Sequence, residues 1–213
     1  MNKPKTIKIC GLSTTDAIDA AVSGGATHIG FIFFEKSPRH VSVETAKNLA
    51  AHAGDRIKKV AVSVDADNDY LDQIVAATDP DILQLHGKES RERLQEIKAR
   101  YNLPVMKAIA IRTQEDLEKA KDYLGVADMF LFDAKPPEGS DLPGGNGVAF
   151  DWEIMDHWDK DMPYMLSGGL DAGNVHEALH HSGANAVDVS SGVERVPGQK
   201  DLNLIQDFLK TIT

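Results

Sequence analysis

The chain has 213 residues, of which 42% are apolar and one is a cysteine, and its formal net charge is −10. This length and apolar content suffice for one large domain or two small ones with a full core, and a single cysteine excludes a disulfide framework within the chain. The acidic balance argues against a nucleic-acid-binding surface, because such surfaces are usually basic.

No segment predicts export or insertion into a membrane. Residues 1–10, MNKPKTIKIC, contain no long apolar stretch and no small-residue cleavage site. No run approaches the roughly 18–20 apolar residues that a membrane span requires. We therefore expect a soluble, cytoplasmic protein in a reducing compartment, with no membrane partner and no nucleic-acid partner.

Short apolar runs, rich in β-branched or aromatic residues, recur along the chain and predict strands. The eight runs span residues 6–12, 28–34, 58–64, 82–87, 104–111, 127–134, 164–170 and 186–192. Segments with helical spacing lie between them, and several begin at a Ser or Thr and end at Gly or Asn, which are helix start and stop signals. The clearest helical segments are 14–25, 42–54, 89–102, 113–124 and 201–213.

Strand alternating with helix is the pattern of a parallel sheet with helical crossovers. Eight such units favour a closed (β/α)8 TIM barrel, for which about 200 residues is the lower limit. A doubly wound open sheet is the alternative. Because no linker, low-complexity tract or charge run interrupts the pattern, we predict one α/β domain over 1–213. The Pro/Gly-rich segment 133–147 is the longest irregular piece, and such long connections are more often functional than idle.

Strand parity predicts which polar side chains face the inside of the barrel, since alternate residues of a barrel strand face the interior and the helices. If the uniformly apolar set packs on the helices, the polar set points inward. That set comprises Lys8, Gln84, Lys107 and Asp188 within the barrel, and Cys10, His86, Asp133 and Ser190 later in their strands. Chemistry in (β/α)8 enzymes takes place at the C-terminal rim, so this convergence predicts a catalytic site there.

Cys10 and Asp133 each have a structural and a chemical interpretation. A lone cysteine in an apolar strand is usually a small buried hydrophobe. At a strand end beside Gly11, however, a thiolate can serve as a general base. Asp133 ends an apolar strand, where a buried acid needs a partner. A helix cap or a salt bridge to Lys135 is the alternative to a chemical role.

Glycine- and serine-rich loops follow the seventh and eighth strands, and SGGLDAGNV and SSGVE each lead into a predicted helix. In (β/α)8 barrels, these two loops and a helix N-terminus form a recurring phosphate site; ordinary turn chemistry is the alternative. Arg39 suits a carboxylate, although its segment alone favours a solvated surface arginine. His86 fits a substrate contact or a satisfied core histidine equally well. The histidines have no metal-site spacing.

Several stretches together resemble the phosphoribosylanthranilate isomerase family, (β/α)8 barrels of tryptophan biosynthesis. They are KICGL, GFIFFEKSPRHV, QLHG, LFDAK, GGNGVAFDW, LSGGL and VDVSSGVE, which occur in order from the first strand to the eighth. Each stretch is weak alone, whereas the ordered set is highly specific. Asn146, where the family usually has Thr, and the segment VPGQKD depart from the family pattern without touching the proposed acid or base.

The resemblance implies an Amadori rearrangement of N-(5-phosphoribosyl)anthranilate, with no metal and no organic cofactor. It implies that Asp133 is the general acid that protonates the furanose ring oxygen, and that Cys10 is the general base that removes the C2′ proton. It also implies that Arg39 pairs with the anthranilate carboxylate. The remaining substrate contacts it implies are His86 and Asp188 for polar groups, and Gly168, Gly169, Ser190, Ser191 and Gly192 for the phosphate.

Two other functions compete with this one. A Schiff-base aldolase or lyase on the same barrel would use Lys107 or Lys135 as its nucleophile. A non-catalytic barrel would bind a phosphosugar without turnover, which the Cys10/Asp133 pair argues against. The sequence leaves the oligomeric state open between monomer and homodimer.

Overall fold

A closed barrel of eight parallel strands forms the centre of the molecule. The computed structural model describes residues 4–135, 139, 144, 145, 147 and 149–213. The strands are β1 Thr6–Cys10, β2 His28–Phe33, β3 Lys58–Ser63, β4 Ile82–Leu85, β5 Val105–Ile111, β6 Met129–Ala134, β7 Tyr164–Leu166 and β8 Ala186–Val189. Each pairs with the next along the chain, and β8 closes on β1. The predicted (β/α)8 barrel is confirmed, and the open sheet is wrong.

Helices surround the barrel in the order that the sequence predicts. They are α1 Thr15–Ser23, α2 Val43–Ala53, α3 Asn68–Thr78, α4 Arg91–Tyr101, α5 Gln114–Lys119, α6 Val175–Ser182 and α7 Leu202–Ile212. Short 3-10 helices occupy Ala120–Tyr123, Trp152–His157 and Ser191–Val193. After the last of these, β9 Glu194–Val196 and β10 Gln199–Lys200 form an antiparallel hairpin, which the sequence patterns did not predict.

Local side-chain chemistry sets where the helices begin. Thr14, Ser42 and Ser90 each accept a hydrogen bond from a backbone N–H in the first turn of the helix that follows. Such a cap stabilises a helix by about 1 kcal/mol. At the other end of α4, Asn102 adopts a left-handed backbone with φ of 50°, which closes the helix.

The barrel wall separates two packing regions. Outside it, Phe31, Phe33, Phe130 and Phe132 belong to the main core, which lies between the strands and the helices. Inside it are two small apolar clusters: one of Met106, Ala108, Leu131, Met165 and Ala186, and one of Cys10, Val60 and Val62. The interior is therefore only partly apolar, and polar side chains complete it at the C-terminal end.

Lys107 does not point into the barrel, and that prediction is wrong. It lies in register with Leu85 on one side and Phe130 on the other, and both belong to the core outside the wall. Residues paired in a parallel sheet face the same side, so Lys107 faces outward too. Its ammonium donates to the Gly87 carbonyl at 2.7 Å and to the Glu89 carboxylate at 2.8 Å. Lys107 thus fastens the loop after β4 to the barrel.

Candidate active site

A cavity opens at the C-terminal ends of the strands. Side chains from six of the predicted site positions line it: Cys10, Arg39, His86, Asp133, Asp188 and Ser190. Gln84, Ser167 and the backbone of Gly144 and Gly145 complete much of the wall. The strands thus bring together polar groups that are up to 180 residues apart in the chain, as the parity pattern predicts.

Cys10 and Lys8 share one space inside the barrel. Both project inward from β1, and Gly30 on β2 is paired with Cys10. A β-carbon on residue 30 would lie 2.8 Å from Cys10 Sγ and 3.2 Å from Lys8 Cε. Only glycine leaves room there for both side chains. Lys8 is fully buried and donates to Asp188 Oδ1 at 2.8 Å, and Ser167 Oγ donates to Asp188 Oδ2 at 3.3 Å.

The charges around Cys10 act in opposite directions on its thiol. Burial raises the pKa of Cys10 and outweighs the nearby Lys8 ammonium, which opposes that rise more than any other group, so the thiol pKa stays above its usual value. The Asp188 carboxylate raises the thiol pKa further, and Lys200 lowers it. Burial also lowers the pKa of Lys8, but the Asp188 and Cys10 charges outweigh burial and leave it raised, so Lys8 stays cationic. Thiolate formation thus depends on the ammonium groups beside it.

Asp133 has two carboxylate oxygens in different surroundings. Oδ1 accepts the backbone N–H of Ala134 at 2.9 Å, and Oδ2 lies 3.5 Å from His86 Nε2. The amide nitrogen of Gln84 lies 3.0 Å from His86 Nδ1, on the other side of the ring. A β-carbon on Gly144 would collide with Asp133 Oδ2, so the loop backbone closes directly over this pair.

The structural alternatives for Asp133 and Arg39 are wrong. Lys135 binds Asp116 at 3.0 Å instead of pairing with Asp133. Arg39 is only 4% exposed, rather than solvated. Its Nε and Nη2 donate to the two carboxylate oxygens of Glu194 at 2.8 and 2.9 Å. Its Nη1 lies against Gly145, where a β-carbon would be 2.6 Å away. Both residues are therefore held at the cavity.

Glu194 and Lys200 belong to the site, and the strand and helix patterns missed both. Lys200 Nζ donates to Glu194 Oε1 at 2.6 Å and to the Ser190 carbonyl at 2.8 Å. Burial raises the pKa of Glu194, but Arg39 and Lys200 outweigh burial and leave it lowered, so Glu194 is anionic. Burial lowers the pKa of Lys200, against the Glu194 charge. The signals in the sequence are the place of Glu194 at the end of VDVSSGVE and that of Lys200 within VPGQKD.

The loops after β7 and β8 pack against each other beside the cavity. Gly168 and Gly169 have φ of 92° and 60°, a left-handed backbone that favours glycine. A β-carbon on Gly192 would collide with the Leu170 carbonyl, so close contact between the loops requires glycine there as well. Ser190 faces the cavity, and Ser191 faces a neighbouring hollow beyond Arg39.

The sequence predicts a helix after each of these two loops, and the two helical segments differ in length. The first loop leads into α6, whose preceding residue, Asn174, donates from Nδ2 to the Gly169 carbonyl at 2.8 Å. The second leads only into the 3-10 turn Ser191–Val193, so the prediction of a helix there is too long. The first loop therefore ends at the N-terminus of an α-helix, whereas the second ends at a single tight turn.

The predictions made for the segment 133–147 fall partly outside the described residues, and Asn146 is among those outside. Gly144 and Gly145, which are described, lie on the cavity wall. Within the described part of the chain, no three or more His, Cys, Asp or Glu side chains are grouped so as to hold a metal ion. No helix in that part is long and apolar enough to cross a bilayer.

The fold and the site define a (β/α)8-barrel enzyme equipped for acid–base chemistry on a small anionic substrate. The family model for N-(5′-phosphoribosyl)anthranilate isomerase matches residues 7–211 of this chain. The N-(5′-phosphoribosyl)anthranilate isomerase of Rhizobium meliloti is 59% identical over 206 residues, which are 97% of this chain and 96% of the relative. The chain belongs to this family, and it is an isomerase of tryptophan biosynthesis.

Solved structures agree with that assignment. The phosphoribosyl anthranilate isomerase of Thermotoga maritima superposes with a TM-score of 0.87 at 32% identity, covering 97% of this chain and 98% of its own. A phosphoribosyl anthranilate isomerase solved in complex with reduced 1-(o-carboxyphenylamino)-1-deoxyribulose 5-phosphate gives a TM-score of 0.82 at 30% identity, with 97% of each chain covered.

Proposed function

We propose that this cavity converts N-(5-phosphoribosyl)anthranilate to 1-(2-carboxyphenylamino)-1-deoxyribulose 5-phosphate, with Asp133 as general acid and Cys10 as general base. The observation that carries the proposal is the cavity itself. One carboxyl group and the chain's one thiol face the same space at the C-terminal rim, beside two glycine-rich loops.

The first step needs a proton on the furanose ring oxygen. Asp133 donates it as the C1′–O4′ bond breaks, and the nitrogen lone pair forms a C1′=N double bond. Since Oδ1 is held by the Ala134 N–H, Oδ2 is the oxygen we assign to this transfer. The His86 Nε2 beside Oδ2 is placed to stabilise the carboxylate that remains after the proton leaves.

The second step needs a base at C2′. The Cys10 thiolate takes the C2′ proton, the C2′–H electrons form the C1′=C2′ bond, and the C=N π electrons return to nitrogen. The resulting enolamine tautomerises to the C2′ ketone. An acid that starts protonated and a base that starts deprotonated require different surroundings. Cys10 has the ammonium groups of Lys8 and Lys200 near it, whereas Asp133 has a histidine.

Binding groups are assigned to the two ends of this substrate and to the ribose chain between them. Arg39 keeps Nη1 for the anthranilate carboxylate, because Glu194 occupies Nε and Nη2. Asp188 and His86 are assigned to hydroxyl groups of the ribose chain. The phosphate is assigned to the loops after β7 and β8, through Gly168, Gly169, Ser190, Ser191 and Gly192. Backbone N–H groups of such loops bind phosphate without net positive charge.

The setting of the enzyme follows from the same chemistry. A catalytic thiol that must stay reduced fits the cytoplasm. A net charge of −10 fits a small phosphosugar substrate better than a nucleic acid. For the oligomeric state, we propose a monomer or a homodimer.

The test is turnover by variants of the two proton-transfer groups. The fluorescence of the anthranilate substrate decays as it isomerises, and we expect Cys10→Ser and Asp133→Asn each to lower kcat by about 10²–10⁴-fold with a small change in KM. Asp19→Asn, which changes an exposed carboxylate, is the matched control and should keep its rate. Turnover close to wild type in either site variant would remove that residue from its role.

A further inference from the structure

Three buried lysines lie near the site, and their ammonium groups are not equally occupied. Lys107 donates to three oxygens, and Lys200 also donates to three. Among the described residues, the Lys8 ammonium donates to one oxygen, Asp188 Oδ1 at 2.8 Å. An ammonium has three donors, and burial makes an unused one costly. Lys8 therefore has hydrogen-bonding capacity left for a further partner.

The sulfur of Cys10 is placed to be that further partner. Lys8 and Cys10 stand two residues apart on β1 and face the same side of it. The Lys8 Cε and the Cys10 Sγ both lie within 3.2 Å of the point where a β-carbon on residue 30 would be. Gly30 thus provides the space in which the lysine side chain reaches the thiol. A thiol accepts hydrogen bonds weakly, whereas a thiolate beside an ammonium is stabilised strongly.

We propose that Lys8 is a positioning residue for the base: held in place by Asp188, its ammonium stabilises the Cys10 thiolate in the space that Gly30 leaves open. The inference rests on the proposed role of Cys10. It also gives Asp188 a second task besides substrate contact, since Asp188 balances the buried charge of Lys8. Since burial already raises the pKa of Cys10, replacing Lys8 with an uncharged side chain should raise it further and leave less thiolate at neutral pH.

Other charged groups also face Cys10. Asp188 on β8 acts against the thiolate, and Lys200 on β10 acts for it. Across the cavity stand Arg39 after β2, His86 after β4 and Asp133 on β6. Of the groups that shift the thiol pKa, Lys8 opposes the burial effect most strongly. We therefore expect the protonation state of Cys10 to depend on Lys8 more than on any of the other charged groups.

The test titrates the thiol directly. Cys10 is the one cysteine of the chain, so the rate of alkylation by iodoacetamide at a series of pH values reports on it alone. We expect Lys8→Met to raise the midpoint of this profile by about 1 pH unit or more. We expect Asp188→Asn to lower it, because a carboxylate no longer repels the thiolate. Opposite shifts are what an electrostatic role produces and a packing role does not.

A matched control removes another buried ion pair. The double variant Lys107→Met/Glu89→Gln changes a lysine and a carboxylate that lie 2.8 Å apart outside the wall, and its midpoint should match wild type. An unchanged midpoint in Lys8→Met, or shifts of the same sign in both site variants, would overturn the proposal. If circular dichroism shows that Lys8→Met does not fold, Lys8→Gln decides: a raised midpoint supports the proposal, and an unchanged or lower one overturns it.

Turnover gives a second readout that separates this inference from the proposed function. In Lys8→Met, kcat at pH 7 should fall about tenfold for each pH unit by which the midpoint rises, and it should recover as the pH is raised. Full turnover in Cys10→Ser would end the role of Cys10 as base, while the alkylation profile would still decide whether Lys8 controls the thiol.

Discussion

Lys8 and Lys107 are both buried, and each lies 2.8 Å from a carboxylate, yet they stand on opposite sides of the barrel wall. Lys107 faces the helices, binds the carboxylate of Glu89 and fastens a loop. Lys8 faces the interior, beside the thiol that we propose as the base. A buried lysine–carboxylate pair therefore stabilises the structure outside the barrel wall, whereas inside the wall we assign such a pair to catalysis.

The largest expected effect is on the stability of the fold, and it comes from breaking the Lys107–Glu89 pair outside the wall. Lys107→Met leaves the Glu89 carboxylate buried without its cation, which should lower the free energy of unfolding by about 3–5 kcal/mol. Adding Glu89→Gln should restore part of that loss, because the stranded charge is gone. Urea denaturation measures both variants. A loss below about 1 kcal/mol in the single variant would show that the outer pair does not hold the fold.

A second expectation concerns His28, which is paired in register with Lys8 at the start of β2. Burial lowers the pKa of His28 to about 4, and the Lys58 and Lys8 charges add to that effect. Between about pH 6.5 and about 4, the unfolded chain binds a proton that the folded chain does not, so stability falls as the pH falls. The loss from pH 7.5 to pH 5 should be about 2 kcal/mol.

The variant His28→Gln should lack this part of the pH dependence in urea denaturation. His52→Gln, which changes an exposed histidine paired with Asp19, is the control and should keep it. A pH dependence in His28→Gln that equals wild type would contradict the view that the interior keeps this imidazole neutral.

A third expectation concerns the space around the thiol. In Gly30→Ala, the added methyl group lies 2.8 Å from Cys10 Sγ, so the sulfur must move, and kcat should fall about tenfold or more, as displacements near 1 Å in active sites do. Gly173→Ala meets only the Asp171 side chain, at 3.2 Å, and serves as control. Equal kcat in the two variants would show that the sulfur position is not critical.

The smallest expected effect concerns Glu194, the carboxylate that pairs with Lys200, the third buried lysine. Glu194→Gln removes the charge that holds both Lys200 and Arg39. Arg39 should then bind the substrate carboxylate less well, so KM should rise about tenfold with a smaller change in kcat. Glu153→Gln, an exposed change, is the control. A fall in kcat with constant KM would assign Glu194 to the chemical step instead.

Much of the fold could be predicted because its signals are local and repeated. Caps such as Thr14 and Ser42 mark helix starts, and the strand–helix alternation indicates the barrel. The predicted strands run too long, since apolar runs such as 186–192 continue into the rim loops, whereas β8 ends at Val189. In β5, both faces are largely apolar, so parity could not tell that Lys107 points outward.

The site was predictable only where strand position reveals it. Cys10 ends β1 and Asp133 is the next-to-last residue of β6, and closure of the barrel brings both to one cavity. Glu194 and Lys200 lie in a short hairpin without periodicity, so nothing local indicates that they are buried. In the sequence, Gly30 only weakens the prediction of a strand. The need for glycine there becomes clear once β1 is paired with β2, because the Cys10 sulfur then lies against residue 30.

The most direct measurement is a crystal structure of this protein with reduced 1-(o-carboxyphenylamino)-1-deoxyribulose 5-phosphate, the compound seen in a solved relative. We expect Cys10 Sγ within about 3.5 Å of C2′ and Asp133 Oδ2 within reach of the oxygen released from the ring, at reactive distances of about 3–3.5 Å. We also expect the phosphate to bind to the loops after β7 and β8. A ligand whose C2′ lies away from Cys10, or whose phosphate sits elsewhere, would contradict these assignments.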